Sequence, residues 1–162
     1  MREMVINTGP VIALVAATGT LDWLTEIYDV IWVPYEVDTE IRAGGGAAPE
    51  SVALRDATNV IHILPPLTLI SRVLANELDL GEASVIQTAL QKNISTVAID
   101  EKAGRRVARL HGLSVTGSLG ILVKARHANV LGSLSECIQR MKKQNIWISE
   151  KLVSQAMAAV GE

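Results

Sequence analysis

Four short motifs in this sequence place an oxygen-bearing polar side chain at, or facing, the end of a predicted strand. The motifs are VINTGP (residues 5–10), VPYEVDTEI (33–41), LDLGEASVI (78–86) and VAIDEKAGRR (97–106), and their polar residues are Asn7, Glu40, Glu82 and Asp100. Clustered carboxylates repel each other, so a fold that gathers them usually needs a divalent cation to neutralise them. The spacing therefore predicts a metal-dependent site, with the amide of Asn7 where an acid would be expected.

Each of these acids also has an ordinary structural interpretation. Asp100 follows an apolar strand and precedes a helix, where aspartate commonly caps the helix N-terminus. Glu82 and Glu101 lie in predicted first turns, where a carboxylate interacts favourably with the helix dipole whether or not it binds a metal. Glu40 lies on a helix that carries other acids, so a solvated surface is the alternative there. Asp79, three residues before Glu82, is expected to be a helix cap.

A basic stripe follows Asp100 on the next predicted helix. Its members are Lys102, Arg105, Arg106 and Arg109. Residues three, four and seven apart share one face of a helix, so all four side chains are expected on the same side. Phosphates of a nucleic acid that contacted this face would lie beside the predicted metal site. A solvated charged face is the alternative.

Short apolar strands alternate with helices along the chain, which predicts a three-layer α/β/α sandwich around a mainly parallel sheet. Strands are predicted at residues 4–6, 30–33, 60–64, 96–99 and 113–115. In such sheets ligands bind at the carboxyl ends of the strands, which is where Asn7 and Asp100 are expected. Ser118, after Gly117, is predicted to cap the next helix, although its hydroxyl could instead orient a water at the site.

Helices are predicted between the strands from apolar periodicity and from capping residues. One is expected over residues 20–28, capped by Thr20, and another over residues 67–76, leading into the LDLGE motif. Ser133 begins a capping-box pattern, SLSE, and Ser149 is expected to cap the last helix.

Length and composition predict one domain over residues 1–162 with an aliphatic core. Hydrophobic residues make up 49% of the chain but include no phenylalanine, so Leu, Ile, Val and Ala must fill the interior. The single cysteine, Cys137, cannot form an internal disulfide, which favours a cytoplasmic setting. The net charge of −2 argues against a broadly basic nucleic-acid-coating protein, and no segment predicts a membrane span.

Together the motifs resemble the PIN-domain superfamily of metal-dependent nucleases, and most closely its branch of small prokaryotic proteins. The most specific segment is IDEKAGRRVARLHGLSVTGSLGIL, residues 99–122, and the resemblance extends from Val5 to about Val160. It implies that Mg²⁺ or Mn²⁺ is bound and that water attacks a phosphodiester bond of RNA. Because the superfamily includes the toxins of prokaryotic toxin–antitoxin pairs, it also implies a small antitoxin protein as a partner. Many PIN-like proteins dimerise, and the aliphatic stretches at residues 67–74 and 149–160 are candidate dimer surfaces.

The resemblance implies Glu40, Glu82 and Asp100 as the acidic members of the catalytic site. The expected metal ligands are Asn7, Glu82, Asp100 and Glu101. The first strand of the family normally ends in aspartate, whereas this chain has Asn7 there. An amide oxygen still binds Mg²⁺, but it removes one negative charge, which should weaken metal affinity.

Three functions remain open on the sequence alone. The first is a Mg²⁺- or Mn²⁺-dependent ribonuclease. The second is a catalytically inactive PIN-like module that binds RNA or a protein through the same groove, which Asn7 favours. The third is a hydrolase or phosphatase with Asp100 as nucleophile, and it requires an aspartate at the end of the first strand, which this chain lacks.

Overall fold

The computed structural model describes residues 1–162 and contains a five-stranded sheet. The strands are β1 (Glu3–Ile6), β2 (Val30–Val33), β3 (Ile61–Ile63), β4 (Thr96–Ala98) and β5 (Ser114–Thr116). Their spatial order is β3-β2-β1-β4-β5, and every neighbouring pair is parallel. The central strand β1 buries Met4, Val5 and Ile6 completely, because a parallel sheet covered on both faces leaves no polar side.

Nine α-helices and one short 3-10 helix, Asp22–Glu26, accompany the strands. The helices are α1 (Thr8–Thr18), α2 (Tyr35–Ala43), α3 (Pro49–Asp56), α4 (Arg72–Glu77), α5 (Leu80–Lys92), α6 (Lys102–Leu110), α7 (Ser118–His127), α8 (Leu134–Lys143) and α9 (Glu150–Ala159). Helix α5 packs on β1 and β4 and contacts α6, whereas α1 contacts α3, α7 and α8. Right-handed crossovers that run in opposite directions across a sheet lie on opposite faces. The predicted α/β/α sandwich is therefore confirmed, and no helix is long and apolar enough to cross a membrane.

The interior is aliphatic, as the composition predicts. Leu, Ile, Val and Ala supply most of one continuous cluster of buried side chains, and Cys137 is buried in it as a free thiol. The hydroxyls of Ser133 and Ser149 each accept a hydrogen bond, both 3.2 Å long, from the backbone N–H of Glu136 and of Leu152. Both serines therefore cap α8 and α9 as predicted.

The helix predicted over residues 20–28 is wrong, because only the 3-10 helix forms there. An α-helix capped by Thr20 would need the carbonyl of Thr20 to accept from the N–H of Leu24. That carbonyl instead accepts from the indole N–H of Trp23 at 2.9 Å, and the N–H of Leu24 donates to Leu21. The Trp23 indole thus donates to the Thr20 carbonyl, which the first hydrogen bond of the predicted helix would need as its acceptor.

The helix predicted over residues 67–76 begins late, at Arg72. Side chains of other elements accept the backbone hydrogen bonds of the preceding segment. The N–H of Leu67 donates to Glu36 Oε1 at 3.2 Å, and the N–H of Ser71 donates to Gln87 Oε1 at 2.9 Å. Long-range partners therefore hold this segment in a non-helical form.

The carboxyl ends of β1 and β4 form the point at which the chain reverses its direction across the sheet. The connections run outward from β1 to β2 and β3, and then return to β4 on the other side of β1. Open α/β sheets bind ligands in the crevice that opens at such a reversal. Ile6 pairs with Ala98, so Asn7 and Asp100 follow the two strands at this same edge.

Candidate acidic site

Asn7 lies directly beyond β1, where its side chain is enclosed by the fold and is only 4% exposed. Its backbone N–H donates to the carbonyl of Ala98 at 3.0 Å, which ties the start of α1 to β4. Although Asn7 is the N-cap residue of α1, its side chain makes no capping hydrogen bond, and Oδ1 has no hydrogen-bond partner. A buried unpaired polar atom costs about 1–3 kcal/mol, so this oxygen is a candidate ligand atom rather than a packing group.

Glu40 reaches the same region from α2, a helix that contacts both α1 and α5. Its Oε2 accepts a hydrogen bond from the hydroxyl of Thr8 at 2.9 Å. A Cβ atom added at Gly81 would lie 2.8 Å from Glu40 Oε2 and 3.2 Å from Asn7 Oδ1. Because Gly81 has no side chain, Glu40 Oε2 and Asn7 Oδ1 can both lie close to the first turn of α5.

Glu82 is the most enclosed carboxylate of the site, with 6% of the residue exposed. Asp79 caps α5 as predicted, because its Oδ1 accepts from the backbone N–H of Glu82 at 2.8 Å. The Oε2 atom of Glu82 is buried without a hydrogen-bond partner. Burial, followed by the neighbouring side chain and negative charge of Asp79 and then the charge of Glu101, raises the pKa of Glu82 to about 7.

The raised pKa of Glu82 predicts that the metal-free protein becomes less stable as pH rises. Between about 4.5 and about 7 the unfolded chain has released the Glu82 proton while the folded chain still holds it. The free energy of unfolding should then fall with pH, by at most about 1.4 kcal/mol per pH unit for this one group. Urea unfolding across this range is the measurement. Glu82→Gln should reduce the slope, and an unchanged slope would contradict the burial of an ionisable Glu82.

Gly104 on α6 provides the space that Glu82 occupies. A Cβ atom added there would collide with Glu82 Oε2 and would lie 2.9 Å from the Ile99 side chain. Gly104→Ala should therefore displace the Glu82 carboxylate and reduce the free energy of unfolding by about 1–3 kcal/mol, the usual cost of overpacking. Gly132→Ala is the matched control, because a Cβ atom there meets nothing within 4 Å. Equal stability of the two variants would contradict the close packing of α6 against Glu82.

Asp100 follows β4 but does not cap α6, so the capping alternative for this residue is wrong. The N-cap position of α6 is Glu101, and Asp100 Oδ1 instead accepts from the backbone N–H of Ser118 at 2.8 Å. This bond joins β4 to the N-terminus of α7, eighteen residues further along the chain. Ser118 is the first residue of α7 and Gly117 is its N-cap, so the cap predicted at Ser118 lies one residue earlier.

Glu101 faces the start of α1 from the other side of the cleft. A Cβ atom added at Gly9 would lie 3.3 Å from Glu101 Oε1 and 3.9 Å from Asp100 Oδ2. Partial burial and then the negative charges of Asp100, Asp79 and Glu40 raise the pKa of Glu101. The acids of three separate segments therefore share one electrostatic environment at the carboxyl edge of the sheet.

The four basic residues of α6 divide between the cleft and the surface. Arg105 turns inward, where its Nη1 donates to the carbonyl of Ile99 at 2.8 Å. Burial and the nearby charge of Arg109 lower its pKa, although a guanidinium stays charged throughout the physiological range. Arg106 is exposed and lies 4.0 Å from Glu77, and Lys102 and Arg109 are exposed as well. Arg105 is thus the one member of the stripe that enters the site.

The oxygen atoms of this cleft have the chemistry of a hard divalent cation site. No three Asp, Glu, His or Cys side chains are grouped as a ready-made metal cage. The donors nevertheless fit Mg²⁺ or Mn²⁺, because they are carboxylate and amide oxygens. Two of them, Asn7 Oδ1 and Glu82 Oε2, are buried and have no hydrogen-bond partner, as is expected of oxygens that bind a cation. A bound cation would relieve both the unpaired oxygens and the mutual repulsion of the acids.

Sequence reasoning missed two members of this environment. Asp79 was assigned only a capping role, although its charge acts on both Glu82 and Glu101. The spacing could have indicated this electrostatic effect. Asp79 is the N-cap of α5 and Glu82 is its third residue, so the two side chains lie in the same turn. Thr8 was not singled out, and its contact with Glu40 spans 32 residues of sequence, for which no local signal exists.

Fold and site together define a class: an α/β protein with an acid-rich cleft at the switch point of a parallel sheet. The family model DUF3368, a PIN domain, matches residues 3–162 of the chain. Since this match covers nearly every residue, the chain belongs to this PIN-domain family, whose fold is of the nuclease type. No curated protein and no solved structure matches the chain.

Proposed function

We propose that the protein is a ribonuclease that hydrolyses RNA phosphodiester bonds with the help of Mg²⁺ or Mn²⁺. The observation that carries the proposal is the pair of buried, unpartnered oxygens, Asn7 Oδ1 and Glu82 Oε2, at a site where burial and neighbouring negative charges raise the pKa of Glu82 and of Glu101. Asn7, Glu82, Asp100 and Glu101 would hold the cation. When bound, the cation lowers the pKa of water and offsets the charge that builds up on the phosphate.

The residues of the chain supply position and proton transfer in this proposal. Glu40 is held by the hydroxyl of Thr8, which leaves its second carboxylate oxygen free to accept a proton from the attacking water. The hydrogen bond from the Ser118 N–H fixes one oxygen of Asp100, so the other oxygen faces the cleft. Ser118 itself would orient the water with its hydroxyl.

Arg105 supplies the phosphate contact nearest to the acids. It enters the site beside Asp100, since a Cβ atom added at Gly117 would lie 2.6 Å from Asp100 Oδ1 and 2.9 Å from Arg105 Nη1. Lys102, Arg106 and Arg109 would extend this contact to neighbouring phosphates along the exposed side of α6. Such contacts position an RNA backbone without selecting its sequence.

The nature of the cleaved ends tests the reaction. If an external water attacks, an RNA with one 2′-deoxyribose at the cleavage position should still be cut, and no 2′,3′-cyclic phosphate should form. A mechanism that uses the 2′-hydroxyl of RNA as nucleophile would give the cyclic phosphate and would fail on the deoxy-substituted substrate. Mass spectrometry of the products in Mn²⁺, with an EDTA control, separates the two mechanisms.

A second candidate function is an inactive PIN-like module that binds RNA or protein through the same cleft. Asn7 favours it, because this chain lacks the aspartate that normally ends the first strand of the family. In that case RNA should bind and remain intact at saturating Mn²⁺.

The proposed protein partners and cellular location follow from the family and from the exposed side chains of the chain. A small antitoxin protein and a second copy of this chain are the proposed protein partners, in a reducing, cytoplasmic setting that suits the free thiol of Cys137. Candidate contacts for these protein partners are three exposed apolar side chains. They are Leu69, which precedes α4, Val73 on α4 and Leu152 on α9. Light scattering of the purified chain tests self-association.

A further inference from the structure

Trp147 is unusual among the tryptophans of this chain because it is 84% exposed. It lies in the connection between α8 and α9. The indole N–H groups of Trp23 and Trp32 donate to Thr18 Oγ1 at 2.9 Å and to Glu3 Oε2 at 2.7 Å. The indole of Trp147 makes no hydrogen bond within the protein. Its ring is therefore available to a ligand rather than committed to the fold.

A cavity of about 320 Å³ joins Trp147 to the acidic site. Its lining includes Asp100, Arg105 and Ser118, which belong to the acidic site, and Trp147, Ile148 and Leu152, which do not. The volume is at the lower end of the range of about 300–1,000 Å³ for small-molecule sites, so it suits a single flat ring system better than a folded segment. The acidic-site residues are the proposed place of the scissile phosphate, and the residues around Trp147 have no part in that reaction.

The chemistry of these two groups of lining residues matches one nucleotide next to a phosphate. An exposed indole face is a stacking surface for any base, and the side chains of Ile148 and Leu152 add apolar lining to the same cavity. Arg105 lines the same cavity, and its guanidinium suits a phosphate oxygen, whereas a neutral apolar side chain of a protein partner would leave the guanidinium unpaired. The cavity thus combines a stacking surface for a base with a cationic group for the adjacent phosphate.

We propose that Trp147 is a stacking platform for one unpaired base of single-stranded RNA, adjacent to the phosphate held at the acidic site. This inference rests on the proposed function and adds the form of its substrate. The base must be unstacked from its neighbours to reach the indole, so the site selects single strands over duplexes. Stacking tolerates all four bases, so it adds affinity without strong sequence preference.

The test scans one abasic ribose along a short fluorescent single-stranded RNA. Anisotropy in Mn²⁺, read before measurable cleavage, gives the Kd of the full chain for each RNA. The wild type should bind one abasic RNA of the series about 5- to 150-fold more weakly than the intact RNA. Trp147→Ala should lose the same factor on the intact RNA and should become insensitive to that abasic position. Trp147→Phe should retain most of the affinity, and Leu110→Ala, at a residue that is 73% exposed and does not line the cavity, should behave as the wild type.

The outcomes separate this inference from the function on which it rests. If the wild type binds or cleaves the intact RNA and Trp147→Ala does so equally well, the stacking role is overturned and the ribonuclease proposal survives. If no intact RNA binds at all, the proposed function has failed and the stacking role falls with it. If Trp147→Ala abolishes self-association in light scattering while RNA binding is unchanged, a second protein chain occupies the cavity and the proposal is overturned.

Discussion

Replacing Asp100 with asparagine is expected to reduce Mn²⁺-dependent RNA cleavage by at least about 100-fold, because even residues that only orient metal ligands contribute 10–100-fold. The substitution keeps the atom that accepts from the Ser118 N–H, since an amide oxygen can replace Asp100 Oδ1 in that bond. It removes the negative charge that faces the cleft. The fold should therefore survive while the site loses an anionic ligand. Cleavage rates and circular dichroism of the same preparation measure the two effects.

Asp56→Asn is the matched control for this result. Asp56 ends α3, is exposed, and lies 3.7 Å from Arg55 in a surface pair of little energetic value. The control should cleave RNA as the wild type does. Cleavage by Asp100→Asn at the wild-type rate would contradict its role in the site, whereas loss of the circular dichroism signal would mean that the substitution acts through folding.

Replacing Asn7 with aspartate is expected to increase cleavage by about 10-fold or more and to lower the Mn²⁺ concentration needed, because affinity for oxygen-bound cations follows the ligand charge. The same substitution should destabilise the metal-free protein. Asn7 is buried near Glu40, so a new carboxylate there is repelled and cannot be solvated. We expect a loss of about 1–3 kcal/mol in the free energy of unfolding without metal, within the usual range for point mutations.

Mn²⁺ should restore the stability of Asn7→Asp, since a ligand that binds only the folded state stabilises it by mass action. Thermal unfolding with and without Mn²⁺ measures this. Asn7→Ala provides the opposite control: it removes the ligand oxygen without adding charge, and its response to Mn²⁺ should be weaker than that of the wild type. An Asn7→Asp protein whose stability does not respond to Mn²⁺ would contradict the assignment of position 7 to the metal site.

The sequence predicted those parts of the fold that local patterns determine. Buried apolar runs located the strands, and the hydroxyls of Ser133 and Ser149 cap the helices that follow them. The 3-10 helix and the late start of α4 were not predictable, because the deciding partners are side chains. The indole of Trp23 takes a backbone acceptor in the first case, and Gln87 takes a backbone donor sixteen residues away in the second.

Some features of the candidate site could likewise be predicted from local sequence patterns, and others could not. The strand ends indicated that Asn7 and Asp100 would share one edge of the sheet, because parallel strands end together. Helical spacing put the basic residues of α6 on one stripe but could not show that Arg105 alone turns inward to the carbonyl of Ile99. The bond between Asp100 and Ser118 and the cavity shared with Trp147 join segments that are distant in sequence. Only the packed chain brings these together.

Titration of RNA cleavage with Mn²⁺ by the wild type, beside Asn7→Asp, decides whether the acidic site is that of a metal-dependent ribonuclease. We expect both proteins to cleave a mixed panel of single-stranded RNAs. Cleavage should rise with Mn²⁺ to a plateau and stop in EDTA, and Asn7→Asp should reach its plateau at less metal. Intact RNA with both proteins, folded and at saturating Mn²⁺, would contradict the ribonuclease and leave the binding module as the function of this site.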